Sequence, residues 1–137
     1  MDLAGKRVLI VEDELLVAMG LEDALRAMGC VVIGPVATLP EAMRIAPDIE
    51  VDAAILDVNL RGEQVYPAAQ ILVQRNIPVI FCSGFIGANP LPACFDDSLQ
   101  VPKPYTDRLI AMALGEVFAT SRMHPAVGAR HLTDAHA

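Results

Sequence analysis

The sequence predicts an α/β fold: a doubly wound, five-stranded parallel sheet in the order 2-1-3-4-5, with helices on both faces. Short apolar runs alternate with longer amphipathic segments along the 137 residues, and this length suits one compact domain. The apolar runs are almost continuous, which indicates strands covered on both faces and therefore a parallel sheet. Right-handed crossovers leave few topologies, and this order is the leading one for five strand–helix units.

The first part of the chain predicts two strand–helix units. Residues 7–11 (RVLIV) form an apolar run that stops at an acidic cluster, and the amphipathic helix that follows should end at Gly29. Residues 30–34 (CVVIG) predict the second strand. Thr38 and Glu41 have the spacing of a capping box, so the second helix should begin there.

The second part of the chain continues the alternation. Apolar runs predict three more strands, at residues 51–57, 77–83 and 98–101. Helical spacing of apolar residues predicts two more helices, at about residues 64–75 and 106–119. Residues 84–97, rich in Gly and Pro, support at most a short helix. We expect residues 1–120 to form one domain and residues 121–137, which lack periodicity, to form a flexible C-terminal tail.

Composition excludes several classes of protein. A net charge of −7 argues against a nucleic-acid surface, which would need clustered Lys and Arg. Cys30, Cys82 and Cys94 form no CxxC pair and favour a reducing compartment. The N-terminus does not resemble a signal peptide, and no apolar stretch approaches the roughly 20 residues that a spanning helix needs. We therefore expect a soluble, cytoplasmic protein that contacts neither nucleic acid nor membrane.

Polar residues stand where four of the predicted strands end. Glu12 and Asp13 follow the first strand, Asp57 ends the third, Ser83 ends the fourth, and Lys103 lies just beyond the fifth. Since the carboxyl ends of parallel strands meet at one edge of a sheet, three carboxylates, a hydroxyl and an ammonium should gather in one cleft.

This set of groups predicts phosphoryl chemistry. Two carboxylates about 4 Å apart repel by roughly 4 kcal/mol at an effective dielectric near 20, so a cation should accompany them. Mg²⁺ prefers oxygen ligands of this kind. Metal, lysine and hydroxyl together stabilise a transferring phosphoryl group, and a carboxylate can be its acceptor. Asp57, alone at the end of a central strand, is the best candidate.

Each residue also has an ordinary structural explanation. Glu12 and Asp13 could complement a helix dipole, and Asp57 could be a turn residue or an N-cap. Ser83 could be a turn hydroxyl, and Lys103, between two prolines, could belong to a surface loop. Each of these explanations is the more common one for a single residue. Their coincidence at one sheet edge favours a functional cleft.

These motifs resemble the receiver domain of two-component response regulators, over residues 6 to about 119. The segments VLIVEDE, AAILDVNLRG and VPKPY look like the acidic pair, the phosphoacceptor strand and the lysine–proline loop of receivers. The resemblance implies a flavodoxin-like fold in which Asp57 accepts the phosphoryl group while Ser83 and Lys103 bind its oxygens. It also implies a Mg²⁺ site formed by Glu12, Asp13, Asp57 and the backbone carbonyl of Asn59.

Two features depart from the usual receiver pattern. Receivers commonly carry an aromatic switch residue three positions before the lysine, and here that residue is Gln100. The segment after the fourth strand is also a weak helix former. Both features are similar to those of a stand-alone subgroup, the FAT GUY type, whose fourth strand reads Pro-Phe-x-Phe-Ala-Thr-Gly. Pro78, Phe81 and Gly84 match this motif, and Ser83 replaces its Thr.

The resemblance implies a bacterial single-domain response regulator. A histidine kinase or a histidine phosphotransfer protein would donate the phosphoryl group, and the signal would leave by protein contact or by onward phosphotransfer. We expect no enzymatic turnover beyond self-catalysed phosphotransfer and slow self-dephosphorylation. Two alternatives are a Mg²⁺-dependent phosphohydrolase with an aspartyl nucleophile and an interaction domain that is not phosphorylated. The phosphohydrolase is disfavoured because such enzymes usually place their Asp after the first strand, often with a second Asp two residues later.

Overall fold

The computed structural model describes residues 3–84, 91–95 and 97–120, together with the backbone of residues 130–131. The strands in these residues are β1 (Arg7–Val11), β2 (Val31–Val36), β3 (Ala53–Asp57), β4 (Asn59–Leu60), β5 (Glu63–Gln64), β6 (Val79–Ser83), β7 (Leu99–Pro102) and β8 (Arg130–His131). The helices are α1 (Leu15–Ala27), α2 (Leu39–Ile45), α3 (Tyr66–Gln74) and α4 (Asp107–Thr120). A 3-10 turn at Ala93–Phe95 lies between β6 and β7.

The central sheet has the order β2-β1-β3-β6-β7-β8, and neighbouring strands are parallel. Since β6 and β7 are the predicted fourth and fifth strands, the predicted order 2-1-3-4-5 is confirmed. The register places Asp57 opposite Cys82 and Ser83 opposite Pro102. The carboxyl ends of β1, β3, β6 and β7 therefore meet at one edge, and the residues that follow them lie close together.

Two of the helices begin where local signals predict them. The Thr38 Oγ1 accepts the backbone N–H of Glu41 at 3.3 Å, which confirms Thr38 as the N-cap of α2. The Thr106 Oγ1 accepts the backbone N–H of Leu109 at 3.1 Å at the start of α4. Residues 85–90 lie outside the described part of the chain, so the expected conformation of 84–97 is observed only in part. Among the helices of the described residues, none has the combination of length and apolar character that crossing a membrane requires.

The sheet separates two hydrophobic layers. Alternate residues of β1 point to opposite faces, so Val8 and Ile10 pack in one layer while Leu9 and Val11 pack in the other. The first layer is closed by apolar residues of α1 and α4: Leu21, Leu25, Leu109, Ile110, Ala113, Leu114 and Val117. The second is closed by residues of α2 and α3: Ala42, Ala68, Ala69 and Leu72. Helices on both faces are therefore confirmed.

The C-terminal segment adds one short strand to the prediction. Of residues 121–137, only the backbone of Arg130 and His131 is described, and it pairs with Leu99 and Gln100 of β7. The rest of this segment lies outside the described residues. The division into a domain at 1–120 and a flexible tail at 121–137 stays a prediction.

Two leucines of α1 test how far packing of this helix stabilises the fold. Leu25 is 0% exposed, whereas Leu16 is 82% exposed. We expect Leu25→Ala to lower the free energy of unfolding by about 3 kcal/mol, because it removes buried methyl groups and leaves a cavity. The matched Leu16→Ala should change it by less than about 0.5 kcal/mol. Urea unfolding of both variants measures this, and equal losses would contradict the observed orientation of α1.

Candidate functional site

Three carboxylates meet at the carboxyl edge of the sheet. Glu12 and Asp13 directly follow β1, and Asp57 is the last residue of the neighbouring strand β3. One carboxylate oxygen of each residue lies within 4.8 Å of the other two. Glu12 and Asp57 are only 3% and 7% exposed, whereas Asp13 is half-buried. Like charges this close together and this far from water need a positive charge beside them.

Lys103 supplies one such charge. Its Nζ lies 3.1 Å from Oε1 of Glu12 and 3.2 Å from Oδ2 of Asp57. A third carboxylate, that of the exposed Glu14, lies 3.7 Å away. The backbone N–H of Lys103 donates to the carbonyl of Ser83 at 2.9 Å, which continues the β6–β7 pairing past the end of β7. The sheet itself thereby positions the ammonium over the carboxylates.

Backbone amides of the adjoining loops also bind the cluster. Each carboxylate accepts one such N–H: Glu12 from Glu14 at 3.1 Å, Asp57 from Asn59 at 3.3 Å, and Asp13 from Arg61 at 3.1 Å. These bonds restrict the rotation of all three side chains. They also favour the ionised carboxylates, because an N–H donates to a negative oxygen more strongly than to a neutral one.

The hairpin β4–β5 explains why Arg61 reaches Asp13. Arg61 and Gly62 form its two-residue turn, with φ of 53° and 90°. Positive φ at both positions is the geometry of a type I′ turn, which glycine adopts without steric cost. The N–H of Gly62 donates to Oδ1 of Asn59 at 2.7 Å and fixes the turn. The sequence did not predict this hairpin.

Burial and hydrogen bonding shift the pKa values of the three carboxylates in different directions. Burial raises the pKa of Glu12 to about 7 and also raises the pKa of Asp57, because the ionised forms lose hydration. Burial acts on Asp13 too, but hydrogen bonds from Glu12 and the Arg61 N–H outweigh it and lower the pKa of Asp13. Burial would lower the pKa of Lys103, yet the facing carboxylates raise it. Lys103 therefore stays charged. Its single charge does not balance the carboxylates around it, so the cluster would be stabilised by a further positive charge.

The cluster opens into a cleft of about 620 Å³. Its described lining includes the predicted residues Asp13, Asp57, Asn59, Ser83 and Lys103. Ser83 and Gly84 lie at the end of β6, beside the Lys103 backbone. A ligand in this cleft would meet carboxylates on the side of β1 and β3, with a hydroxyl and an ammonium on the side of β6 and β7.

The carboxylates suit a hard divalent cation. Mg²⁺ binds oxygen ligands at about 2.1 Å, so two of its ligands can be separated by up to roughly twice that distance. The spread of 4.8 Å among the oxygens of Glu12, Asp13 and Asp57 allows one ion to reach them after small side-chain shifts. This acidic cluster could therefore hold a metal ion.

The structure brings the predicted site residues to one edge. It also adds contacts that the sequence did not predict, namely the approach of Glu14 to Lys103 and of the Arg61 N–H to Asp13. Glu14 adjoins the acidic pair, so its position in the sequence is a signal that could have identified it. The hydrogen bonds described at Asn59 involve its N–H and its side chain. The role of its carbonyl as a metal ligand therefore stays a prediction.

A comparison with family models decides the family. Residues 8–114 match the model of the response regulator receiver domain. The chain belongs to this family. It is a signalling domain homologous to bacterial response regulators, as the motifs at residues 6–119 predicted.

Known relatives agree with this assignment. The phyllosphere-induced regulator PhyR of Methylorubrum extorquens is 36% identical over 117 residues, which is 80% of this chain and 42% of PhyR. The solution structure of SdrG from Sphingomonas melonis is 39% identical with a TM-score of 0.72, covering 86% of this chain and 99% of SdrG. The beryllofluoride-activated SdrG of Pseudomonas melonis is 40% identical with a TM-score of 0.68, covering 83% and 97%.

The curated relatives are longer proteins, since this chain spans 40% to 42% of the length of those it matches. The receiver domain is therefore the shared part. What the whole relatives do beyond this domain does not transfer to this chain.

Residue 100, where the sequence departs from the usual receiver pattern, is buried beside the cleft. Gln100 lies in β7 opposite Phe81, is 3% exposed and lines the cleft. An amide thus occupies the place where receivers commonly carry an aromatic switch residue. The membership of the FAT GUY subgroup stays a prediction.

The raised pKa of Glu12 predicts a pH dependence of stability. Because burial raises the pKa of Glu12 from 4.5 to about 7, the folded protein should bind this proton more tightly than the unfolded chain does. The free energy of unfolding should therefore fall as pH rises through this window, by up to about 3 kcal/mol from this residue. Residue 12 cannot ionise in Glu12→Gln, so the contribution of this residue to the fall in the free energy of unfolding should be absent.

Urea unfolding at several pH values between 4 and 8, in EDTA, measures the difference between the variant and the wild type. The exposed Glu50, substituted as Glu50→Gln, is the matched control and should leave the pH profile unchanged. A Glu12→Gln profile parallel to that of the wild type would show that Glu12 does not hold its proton in the folded state.

Proposed function

We propose that the domain is a phosphoacceptor in which Asp57 takes a phosphoryl group from the phosphohistidine of a histidine kinase or a phosphotransfer protein. The observation that carries the proposal is the ammonium of Lys103, 3.2 Å from Asp57 and beside two further carboxylates. A buried carboxylate in such surroundings is at once a nucleophile and part of a cation site.

The proposed reaction conserves its atoms and charge. A carboxylate oxygen of Asp57 attacks phosphorus, the P–N bond of the phosphohistidine breaks, and the imidazole leaves with the electron pair. The product is an acyl phosphate on Asp57. Catalysis of such a transfer depends mainly on positioning and on neutralising the phosphoryl oxygens, because the transition state is loose and highly charged.

The residues of the cleft have complementary roles in this proposal. Mg²⁺, held by Glu12, Asp13, Asp57 and the Asn59 carbonyl, would supply positive charge to the phosphoryl oxygens. Lys103 would exchange its bonds to Glu12 and Asp57 for one to a phosphoryl oxygen. The Ser83 hydroxyl would donate to another oxygen. The backbone bond between Lys103 and Ser83 supports this division, because it holds the two donors on the same side of the cleft.

The alternatives have less support. Membership of the receiver family and the position of Asp57 at the end of the third strand, not the first, disfavour a phosphohydrolase. The proposal therefore includes no turnover beyond the domain's own phosphorylation and slow dephosphorylation. An interaction domain without phosphorylation would not need the cluster of three carboxylates and a lysine. It nevertheless remains a second outcome of the labelling experiment.

Asp57→Asn should abolish phosphorylation, because the amide is a poor nucleophile. The wild type, incubated with Mg²⁺ and the small donor phosphoramidate, should gain the mass of one phosphoryl group in an intact-mass measurement. Asp48→Asn is the matched control, since Asp48 is exposed and lies between α2 and β3, at the opposite end of the sheet. It should be labelled like the wild type.

Two results would contradict the assignment in different ways. Labelling of the Asp57→Asn variant would identify another nucleophile. Absence of labelling in the wild type, together with no rise in melting temperature on adding Mg²⁺ and beryllofluoride, would favour the non-phosphorylated interaction domain. Binding of a ligand at one hundred times its Kd would stabilise the fold by about 2.7 kcal/mol, so a functional site should give a clear shift.

A surface beside the cleft is suited to the phosphoryl donor. Leu15, Leu16 and Met19 of α1 are 69%, 82% and 48% exposed. Leu16 also lines a groove that includes Lys103 and Tyr105. An apolar surface next to the reacting carboxylate would let a donor protein bind α1 while its histidine enters the cleft.

Leu16→Asp should therefore reduce phosphotransfer from a protein donor at least ten-fold, since a charge would be buried in the contact, and leave labelling by phosphoramidate unchanged. Gln70→Asp, on the exposed face of α3, adds the same charge away from this surface and is the control. Histidine kinases of the host bacterium provide the protein donors. Equal transfer to both variants would rule out α1 as the docking surface.

We also propose that the chain belongs to the FAT GUY subgroup and signals by protein contact or by onward phosphotransfer. Pro78, Phe81 and Gly84 support the subgroup, as does the buried Gln100 in place of an aromatic residue. Orthologues with unrelated residues at positions 78, 81 and 84 would remove this assignment.

A further inference from the structure

A cluster of three aromatic rings lies beside the cleft. Tyr66 is the first residue of α3, Phe81 lies in β6, and Phe95 ends the 3-10 turn. The ring of Tyr66 stacks on that of Phe95, with centroids 5.6 Å apart and an interplanar angle of 28°. Phe81 contacts both rings edge-on, at 5.9 Å from Tyr66 and 5.1 Å from Phe95. The cluster thus joins three elements that are far apart in the sequence.

Tyr66 is linked by the backbone to the region of Asp57. The N–H of Val65 donates to the carbonyl of Val58 at 2.9 Å, and Val58 directly follows Asp57. The N–H of Val58 donates in turn to the carbonyl of Cys82, the residue before Ser83, at 3.1 Å. A displacement of the Asp57 loop would therefore move the start of α3, and the ring of Tyr66 with it.

Tyr66 is also the one aromatic side chain among the described residues that line the cleft. It shares this lining with Ser83, Gln100 and Leu91. Phe81 and Phe95 are buried behind it, at 0% and 2% exposed, whereas Tyr66 is half-buried. Gln100, which also lines the cleft, has no ring that could stack on these aromatic side chains. Tyr66 therefore stands between the reacting groups and the buried rings.

The hydroxyl of Tyr66 stays protonated in this position. Partial burial raises the pKa of Tyr66, so the side chain remains a neutral O–H donor at physiological pH.

We propose that Tyr66 couples phosphorylation of Asp57 to the turn at Ala93–Phe95, through its contacts with Phe81 and Phe95. The inference rests on the proposed function and specifies how the state of the cleft reaches the protein surface. Tyr66 is a positioning residue: it contacts the turn, and the chemistry at Asp57 does not depend on it. The exposed residues Ala93 and Cys94 of this turn would present the phosphorylated state to a partner.

Two backbone amides of the turn report on the coupling. The N–H of Phe95 donates to the carbonyl of Pro92, and that of Ser98 donates to the carbonyl of Phe95, each at 2.9 Å. Hydrogen exchange at these amides, followed by NMR, should change at least about five-fold when Mg²⁺ and beryllofluoride bind to the wild type. Tyr66→Leu keeps apolar bulk but removes the ring, and we expect it to lose this change. Tyr66→Phe keeps the ring and should retain it.

The same variants separate coupling from binding. Tyr66→Leu should still bind Mg²⁺ and beryllofluoride and be labelled by phosphoramidate, because Tyr66 supplies none of the groups proposed to hold the ion or the phosphoryl oxygens. The chain contains two tyrosines and no tryptophan, so in Tyr105→Phe the intrinsic fluorescence reports on Tyr66 alone. This fluorescence should change when beryllofluoride and Mg²⁺ bind.

The results that overturn the inference differ from those that overturn the proposed function. An exchange change in Tyr66→Leu equal to that of the wild type would remove Tyr66 from the coupling. Binding of beryllofluoride to the wild type without any change at Phe95 and Ser98 would do the same, and would leave phosphorylation of Asp57 intact. Absence of both labelling and beryllofluoride binding in the wild type would overturn the proposed function, and this inference with it.

Discussion

The ion pairs that Lys103 makes with Glu12 and Asp57 are the interaction on which the site depends. Two buried carboxylates at the end of a parallel sheet lose most of their hydration, and one ammonium at 3.1 Å and 3.2 Å offsets part of that loss. The ammonium comes from the strand end next to β6, and the carboxylates come from β1 and β3. The strand order therefore brings the ammonium next to the carboxylates, and the ion pairs in turn stabilise this arrangement of strand ends.

The single positive charge of Lys103 offsets only part of the negative charge of the carboxylates. The negative charge that remains is what would attract a cation to the cleft. Lys103 is shared among carboxylates, two of which have raised pKa values because they are buried. In the proposed function, an added cation would relieve their repulsion, and a phosphoryl group on Asp57 would offer Lys103 a stronger partner. A change of partner at Lys103 would act on the end of β6 through the bond to Ser83, and β6 also carries Phe81. Tyr66 contacts the same strand from α3.

Much of this arrangement could be predicted from the sequence. Strands covered on both faces appear as continuous apolar runs, and the parallel order then places Asp13, Asp57 and Lys103 at one edge. The contacts of Arg61 and Tyr66 could not be predicted in the same way, because they depend on loop and turn geometry that has no periodic signal. The hairpin β4–β5 is such a case, since its strands are too short to show alternation. The turn at Ala93–Phe95 lies in a segment where Gly and Pro obscure helical spacing.

The two hydrophobic layers on opposite faces of the sheet have a consequence for evolution. Substitutions in contact-free, well-separated parts of a protein usually have additive effects on stability. The layer under α1 and α4 can therefore remain constant while the layer under α2 and α3 is repacked, because only the strands are common to both. In the proposed signalling role, one face of the domain would be free to keep recognising an upstream protein while the opposite face adapts to a new downstream one.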